Sequence, residues 1–202
     1  MDWNKIPDDA TIERTVGALN KRGIEAIAVD GIEEAKREVL EFIPKGAEVM
    51  HMTSATLSEI GLSKHIEESG DYDSLGARIR AVEDKKERDE LRRRSLSPDY
   101  AIGSAQAITE DGEVVLVSAS GSQLPAYAYG AAHVVWVVGA QKIVKDMETA
   151  RKRICEHTLP LESERIRELY KMPHSAVNKL LIFEGERPGR IKLIIVKQKL
   201  GF

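Results

Sequence analysis

Two short stretches of this chain hold the residue types that surround small anions. Ser118-Ala119-Ser120-Gly121-Ser122-Gln123 follows a strand-like run and precedes a short helical pattern. Small side chains let the backbone approach a ligand closely. Several backbone N–H groups and the hydroxyls of Ser118, Ser120 and Ser122 are then available to a phosphate or carboxylate. The glycine spacing and the Lys-Ser/Thr pair of a Walker loop are missing, and so is a dinucleotide fingerprint. The bland alternative is a flexible loop whose serines cap a helix. The second stretch, His51-Met52-Thr53-Ser54-Ala55-Thr56, also leaves a strand-like run and opens a helix. Thr53, Ser54 and Thr56 read equally as ligand hydroxyls or as caps, and Thr56 with Glu59 fits a capping box. In an open α/β sheet, ligands sit beyond the carboxyl ends of the strands. The two loops are therefore expected to form the two walls of one crevice.

Four other residues invite chemistry. Glu110 lies in the turn Thr109-Glu110-Asp111-Gly112 between two apolar runs, Tyr100 to Ile108 and Glu113 to Val117. Burial there would raise its pKa and suit an acid/base or acyl-accepting role, whereas exposure would make it a turn carboxylate like Asp111. Lys142 follows the apolar run Val134–Val138 and Gly139, placed to neutralise an anion or simply to face water. His133 has no second histidine at metal-ligand spacing, so a structural or surface role is expected and no metal site is read. Cys155 falls near the apolar face of a helical pattern, which suggests a buried, inert thiol.

These residues need elements to hold them. Asp8 and Asp9 precede Ile12, Val16 and Leu19, and Gly23 ends that helix. Ile24 to Val29 reads as a strand. Ile32, Ala35, Val39 and Phe42 mark a second helix, Glu48 to Met52 a second strand, and Leu57 and Ile60 a third helix. Strands alternating with helices favour a parallel sheet covered by helices. Leu75 to Arg94 is highly charged with a thin apolar stripe. Arg92, Arg93 and Arg94 fit a solvated helix face laced with opposite charges, or else a partner contact. Asp111-Gly112 is a hairpin signal, and Val134–Val138 reads as a strand covered on both faces. Met147, Ala150 and Ile154 mark a helix, and another runs from about Glu162 to Tyr170. Leu180–Phe183 and Ile191–Val196, joined through Pro188-Gly189, are expected to form an antiparallel pair.

Composition narrows the function. The 202 residues fit one domain, with two possible on length alone. A formal net charge of -3 disfavours nucleic acid as a partner. With Cys155 as the single cysteine, a disulfide framework and a cysteine-ligated zinc or iron–sulfur centre are excluded within one chain. No apolar run approaches the roughly 20 residues needed to cross a bilayer, and the polar start MDWNKIPDDA is unlike a signal peptide. The expectation is a cytoplasmic protein without a membrane partner. Symmetric homodimers are the commonest assemblies, so a homodimer is a natural expectation.

Several motifs, taken in order, resemble the LUD domain of the lactate-utilization protein family. They are Ala107-Ile108-Thr109-Glu110-Asp111-Gly112, Gly121-Ser122-Gln123-Leu124, Val137-Val138-Gly139-Ala140-Gln141-Lys142-Ile143-Val144 and Leu200-Gly201-Phe202. The order and spacing agree again at Met52-Thr53-Ser54, Thr56-Leu57, Glu59-Ile60-Gly61-Leu62, Leu159-Pro160-Leu161-Glu162, Val177–Ile182 and Pro188-Gly189-Arg190-Ile191. Some relatives carry Asn-Arg in place of Ser122-Gln123, and a glutamate is expected at Gln198. The resemblance covers nearly the whole chain and thins before Pro98.

It implies a three-layer α/β fold, mostly parallel with an antiparallel hairpin. That fold is similar to the sugar-phosphate isomerase, glucosamine-phosphate deaminase and CoA-transferase superfamily. Some family members serve lactate oxidation beside iron–sulfur subunits, so an electron-transfer role here implies a partner subunit. The leading expectation is a small anionic metabolite held by Thr53, Ser54, Thr56, Ser120, Gly121, Ser122, Gln123 and Lys142, with Glu110 as the acid/base or nucleophile. The rivals are a stand-alone CoA-transferase-like or isomerase-like enzyme, which needs a buried Glu110, and a non-catalytic assembly or regulatory partner. The cofactor is left unknown.

Overall fold

A computed structural model describes residues 1–202. Asp8 accepts from the Thr11 amide at 2.8 Å and starts helix α1, Asp9–Lys21, as its acidic cap predicts. Strand β1, Glu25–Val29, leads to the amphipathic helix α2, Ile32–Phe42, and to strand β2, Glu48–His51. Helices α3, Ala55–Glu59, and α4, Leu62–Glu68, follow. The cap of α3 is Ser54, which accepts from the Leu57 amide, rather than the expected Thr56–Glu59 box. Strand β3, Asp73–Ser74, precedes helices α5, Leu75–Ala81, and α6, Lys85–Arg94. Helix α6 buries no residue and carries Lys85–Asp89, Arg92–Asp89 and Arg94–Glu90 pairs, the solvated face its charge pattern suggested.

The apolar run Tyr100–Ile108 looks like one strand and is two. Strand β4, Tyr100–Gly103, belongs to one sheet and β5, Ala107–Thr109, to another, with Ser104–Gln106 crossing between them. Gln106 eases the crossing: its amide donates to Val115 O, and its side-chain oxygen accepts from the Val117 amide. Strand β6, Val114–Ser118, pairs antiparallel with β5 through the expected Asp111-Gly112 turn. Strand β7, His133–Gly139, lies in the first sheet, and a tight turn over Ala140–Lys142 carries the chain into β8, Ile143–Val144, in the second. Helices α7, Met147–Arg153, and α8, Leu159–Tyr170, are joined by a widened turn containing Cys155, which is exposed rather than buried. Strands β9, Lys179–Phe183, and β10, Ile191–Val196, do not pair with each other as their turn suggested. β9 runs antiparallel to β6 in the second sheet, and β10 is inserted parallel between β1 and β7 in the first.

The first sheet has the order β1-β10-β7-β4-β2-β3, with every pair parallel; the second has the order β8-β5-β6-β9. β7 shows why the first sheet is double-sided. Val134, Trp136 and Val138 enter a core with Ile12 and Leu19 of α1, Ile79 of α5, and Leu116 and Phe183 of the second sheet. Val135 and Val137 alternate into a core with Val39 of α2, Leu57 of α3 and Ile66 of α4. Helices thus cover both faces of a mostly parallel sheet, and the second sheet packs on the α1 side. No helix is long and apolar enough to cross a membrane.

A candidate anion cleft at the strand ends

A cleft of about 680 Å³ opens beyond the carboxyl ends of β2, β4 and β7. Thr53, Ser54 and Thr56 line one part of it and Ser120, Ser122 and Gln123 another, so the two small-residue loops do face one crevice. Lys142 joins them in the wall. Gly121 is set back: its left-handed φ of 86° makes the turn, and a side chain there would run into Lys179. Glu110 is not in the cleft. Its carboxylate is 38% exposed and lies 3.8 Å from the exposed Arg14 of α1. It lies outside the cleft lining and partly in solvent, so it is not the buried carboxylate that the CoA-transferase-like rival required.

The Ser118–Gln123 loop uses much of its own hydrogen-bonding capacity. Ser118 Oγ accepts from the Gly121 amide at 2.8 Å and donates to Gln123 Oε1 at 2.9 Å. The Ser122 amide donates to Ser120 Oγ at 3.3 Å. The amides expected to receive an anion are therefore partly spoken for, and the charge must come from elsewhere.

It comes from two buried cations. The chain crosses from the first sheet to the second twice, at Ser104–Gln106 and at Ala140–Lys142, and these crossings meet. Lys142 is only 2% exposed, and its Nζ donates to Thr56 Oγ1 at 3.0 Å and to Ser104 Oγ at 3.2 Å. Two residues along the same crossing, Gln106 O accepts from Arg153 Nη1 at 2.7 Å. Arg153 is fully buried and also donates to Thr158, a cleft residue, at 3.0 Å, while its Nε and Nη2 have no partner. Neither cation has a carboxylate pair. Burial, and then the Arg153 charge, push the Lys142 pKa down to about 7 against a weaker opposing pull from Glu59. Burial lowers Arg153 to about 10, so it stays charged at neutral pH. Burial and Arg153 also depress His157, whose Nε2 is buried and unpaired.

Residues at and beside the cleft take further roles that the sequence did not assign them. His51 Nε2 lies 2.7 Å from the Glu67 carboxylate, which also pairs with Arg80, and its Nδ1 is buried without a partner. Burial lowers its pKa while Glu67 pulls it back up. Arg165 forks onto Glu162 at 2.7 and 2.8 Å on the α8 side. Gln141 and Glu59 clamp the Leu200–Phe202 segment: Gln141 donates to Leu200 O at 2.9 Å, and Glu59 accepts from the Gly201 amide at 2.7 Å. Phe202 thereby lines the cleft, and Gly201, at φ 57°, allows the backbone to lie against Thr56. His133 instead stacks on Tyr100, ring centroids 4.9 Å apart, in the outer wall of the core.

The LUD domain description matches residues 12–196, and the chain belongs to that family. A DUF162 family protein from Deinococcus radiodurans superposes with a TM-score of 0.58 at 11% identity, covering 95% of this chain and 99% of that one. The fold is that of this protein. A D-ribose-5-phosphate isomerase in complex with phospho-erythronic acid gives 0.43 at 16% identity, over 84% and 95%. eIF2B beta from Chaetomium thermophilum gives 0.38 at 13%, over 69% of this chain and 48% of that one. No curated protein matches the chain.

Proposed function

We propose that this LUD domain binds a small anionic metabolite, a carboxylate or phosphate ester, in the cleft between the Thr53–Thr56 and Ser118–Gln123 loops. One observation carries the reading: Lys142 is buried in the cleft wall and Arg153 just behind it, bonded to the cleft residue Thr158, and neither has a carboxylate to balance it. Removing a charge from water costs several kcal/mol, and folds normally offset that with a pair. A bound anion is the partner this arrangement lacks. Thr53, Ser120, Ser122 and Gln123 supply neutral donors around it.

In this reading the domain is a substrate-handling component of organic-acid utilization. Electron transfer falls to an iron–sulfur partner subunit, because this chain's one cysteine is exposed and alone. Thermal-shift and calorimetric titrations with lactate, pyruvate, inorganic phosphate, sugar phosphates and CoA esters test the site. A ligand at one hundred times its Kd would add about 2.7 kcal/mol to stability. Lys142→Met and Arg153→Met should each abolish that gain. The absence of stabilisation by every anion at millimolar concentration would refute the reading.

A further inference from the structure

We propose that Lys142 is a condensing amine, forming an imine with the keto or aldehyde carbon of an anionic metabolite held in this cleft. The proposal rests on the anion-binding reading and names the substrate class as carbonyl-bearing. Its basis is the geometry at Nζ. Two N–H bonds go to Thr56 Oγ1 and Ser104 Oγ. Both hydroxyls spend their own hydrogens on carbonyl oxygens, Thr56 on Leu200 O and Ser104 on Ala105 O, each at 3.4 Å. With its hydrogen so directed, neither hydroxyl donates back to the nitrogen. Nothing in the protein takes its remaining tetrahedral position, and Lys142 lines the cleft. In a cation that position is an unpaired buried N–H; in a neutral amine it is a free lone pair.

The surroundings favour the amine. Arg153 at the end of α7 disfavours a second positive charge, and only Glu59 of α3 pulls the other way; His157 on the following turn is itself depressed by burial and by the Arg153 and Lys142 charges. The nitrogen is near its own pKa of about 7 at neutral pH, the condition a nucleophilic lysine needs. In the step itself the lone pair attacks the carbonyl carbon and a C–N bond forms. The carbonyl oxygen then leaves with both amine hydrogens as one water, giving C=N with no change in oxidation state. Thr56 and Ser104 accept the two N–H bonds and so fix the direction of the lone pair. The metabolite's carboxylate or phosphate balances Arg153.

The test is reductive trapping on the full chain. Pyruvate, glyoxylate and glyceraldehyde 3-phosphate are each incubated with the protein and cyanoborohydride at pH 7, followed by peptide mapping. With pyruvate, the Lys142 peptide should gain a carboxyethyl group. A lysine at pKa about 7 is neutral in half the molecules, against a few in ten thousand for an ordinary lysine. Because nucleophilicity falls with pKa, the preference over surface lysines should be on the order of tens of fold. Labelling should follow a pH midpoint near 7, fall when lactate or phosphate competes, and vanish in Lys142→Arg. Stabilisation by these anions without any Lys142 adduct would overturn the imine and leave the anion site standing. An adduct that no anion competes away would uphold the amine chemistry and remove the anion reading. Neither stabilisation nor adduct would remove both.

Discussion

Replacing Lys142 by Met should make the protein more stable at neutral pH, and the gain should shrink as pH rises. Methionine keeps nearly the same length and volume without the charge. Lys142 has a pKa of about 7 in the fold and about 10.5 in the unfolded chain. Above about pH 7, then, the unfolded chain holds one proton more than the folded one. Wild-type stability must rise with pH across the window from about 7 to 10.5 and stay flat below it. At about 1.4 kcal/mol per pH unit, the whole window is worth on the order of 5 kcal/mol. Urea denaturation of both proteins at pH 7, 8 and 9 isolates this group, because every other titration is common to the pair. The difference between them should narrow by roughly 2 kcal/mol over those two units, because the folded lysine is only half deprotonated at pH 7. Stability curves that run parallel from pH 7 to 9 would refute the argument, showing that Lys142 is paired or hydrated.

Three further outcomes follow from the same geometry. Arg153→Met should cost little stability or add some, because the guanidinium has two unpartnered nitrogens and no counter-ion, and it should move the Lys142 reactivity midpoint upward; a loss of about 3 kcal/mol in denaturation at pH 7 would point to a hidden partner. Glu110→Gln should leave ligand titrations unchanged and shift stability by under about 1 kcal/mol, since the carboxylate is half-exposed, outside the cleft and paired only with a solvated Arg14. Gly103→Ala should destabilise by about 1–3 kcal/mol in urea, because the added Cβ would overlap the buried Tyr127 hydroxyl at the end of β4.

The crevice was legible in the sequence because its rule is local. A strand that ends in small polar residues and opens a helix marks a carboxyl end, and two such ends of one parallel sheet share a face. The strand exchange was not legible, because it depends on pairing. Tyr100–Ile108 is strand-like at both ends, and the Ser104 and Gln106 that interrupt it do not say which residues pair with β7 and which with β6 and β8. The same holds for β9 and β10, whose turn suggests a hairpin although each finds a partner in a different sheet. Lys142 did leave a trace: it stands with Gln141 as the only long polar pair inside the apolar stretch from Val134 to Val144. A lysine at that place is flanked on both sides by buried strand and has little surface to reach. Arg153 left none, since Arg151-Lys152-Arg153 reads as a basic helix end and only the fold turns the third side chain inward toward Gln106. The chemistry of the cleft thus arises where the two sheet crossings touch, a contact between residues 38 positions apart that joins Lys142 to Ser104. This is also why Glu110 drew attention that the geometry does not support. A hairpin turn is visible in sequence, whereas the meeting of two crossings exists only once the strands have paired.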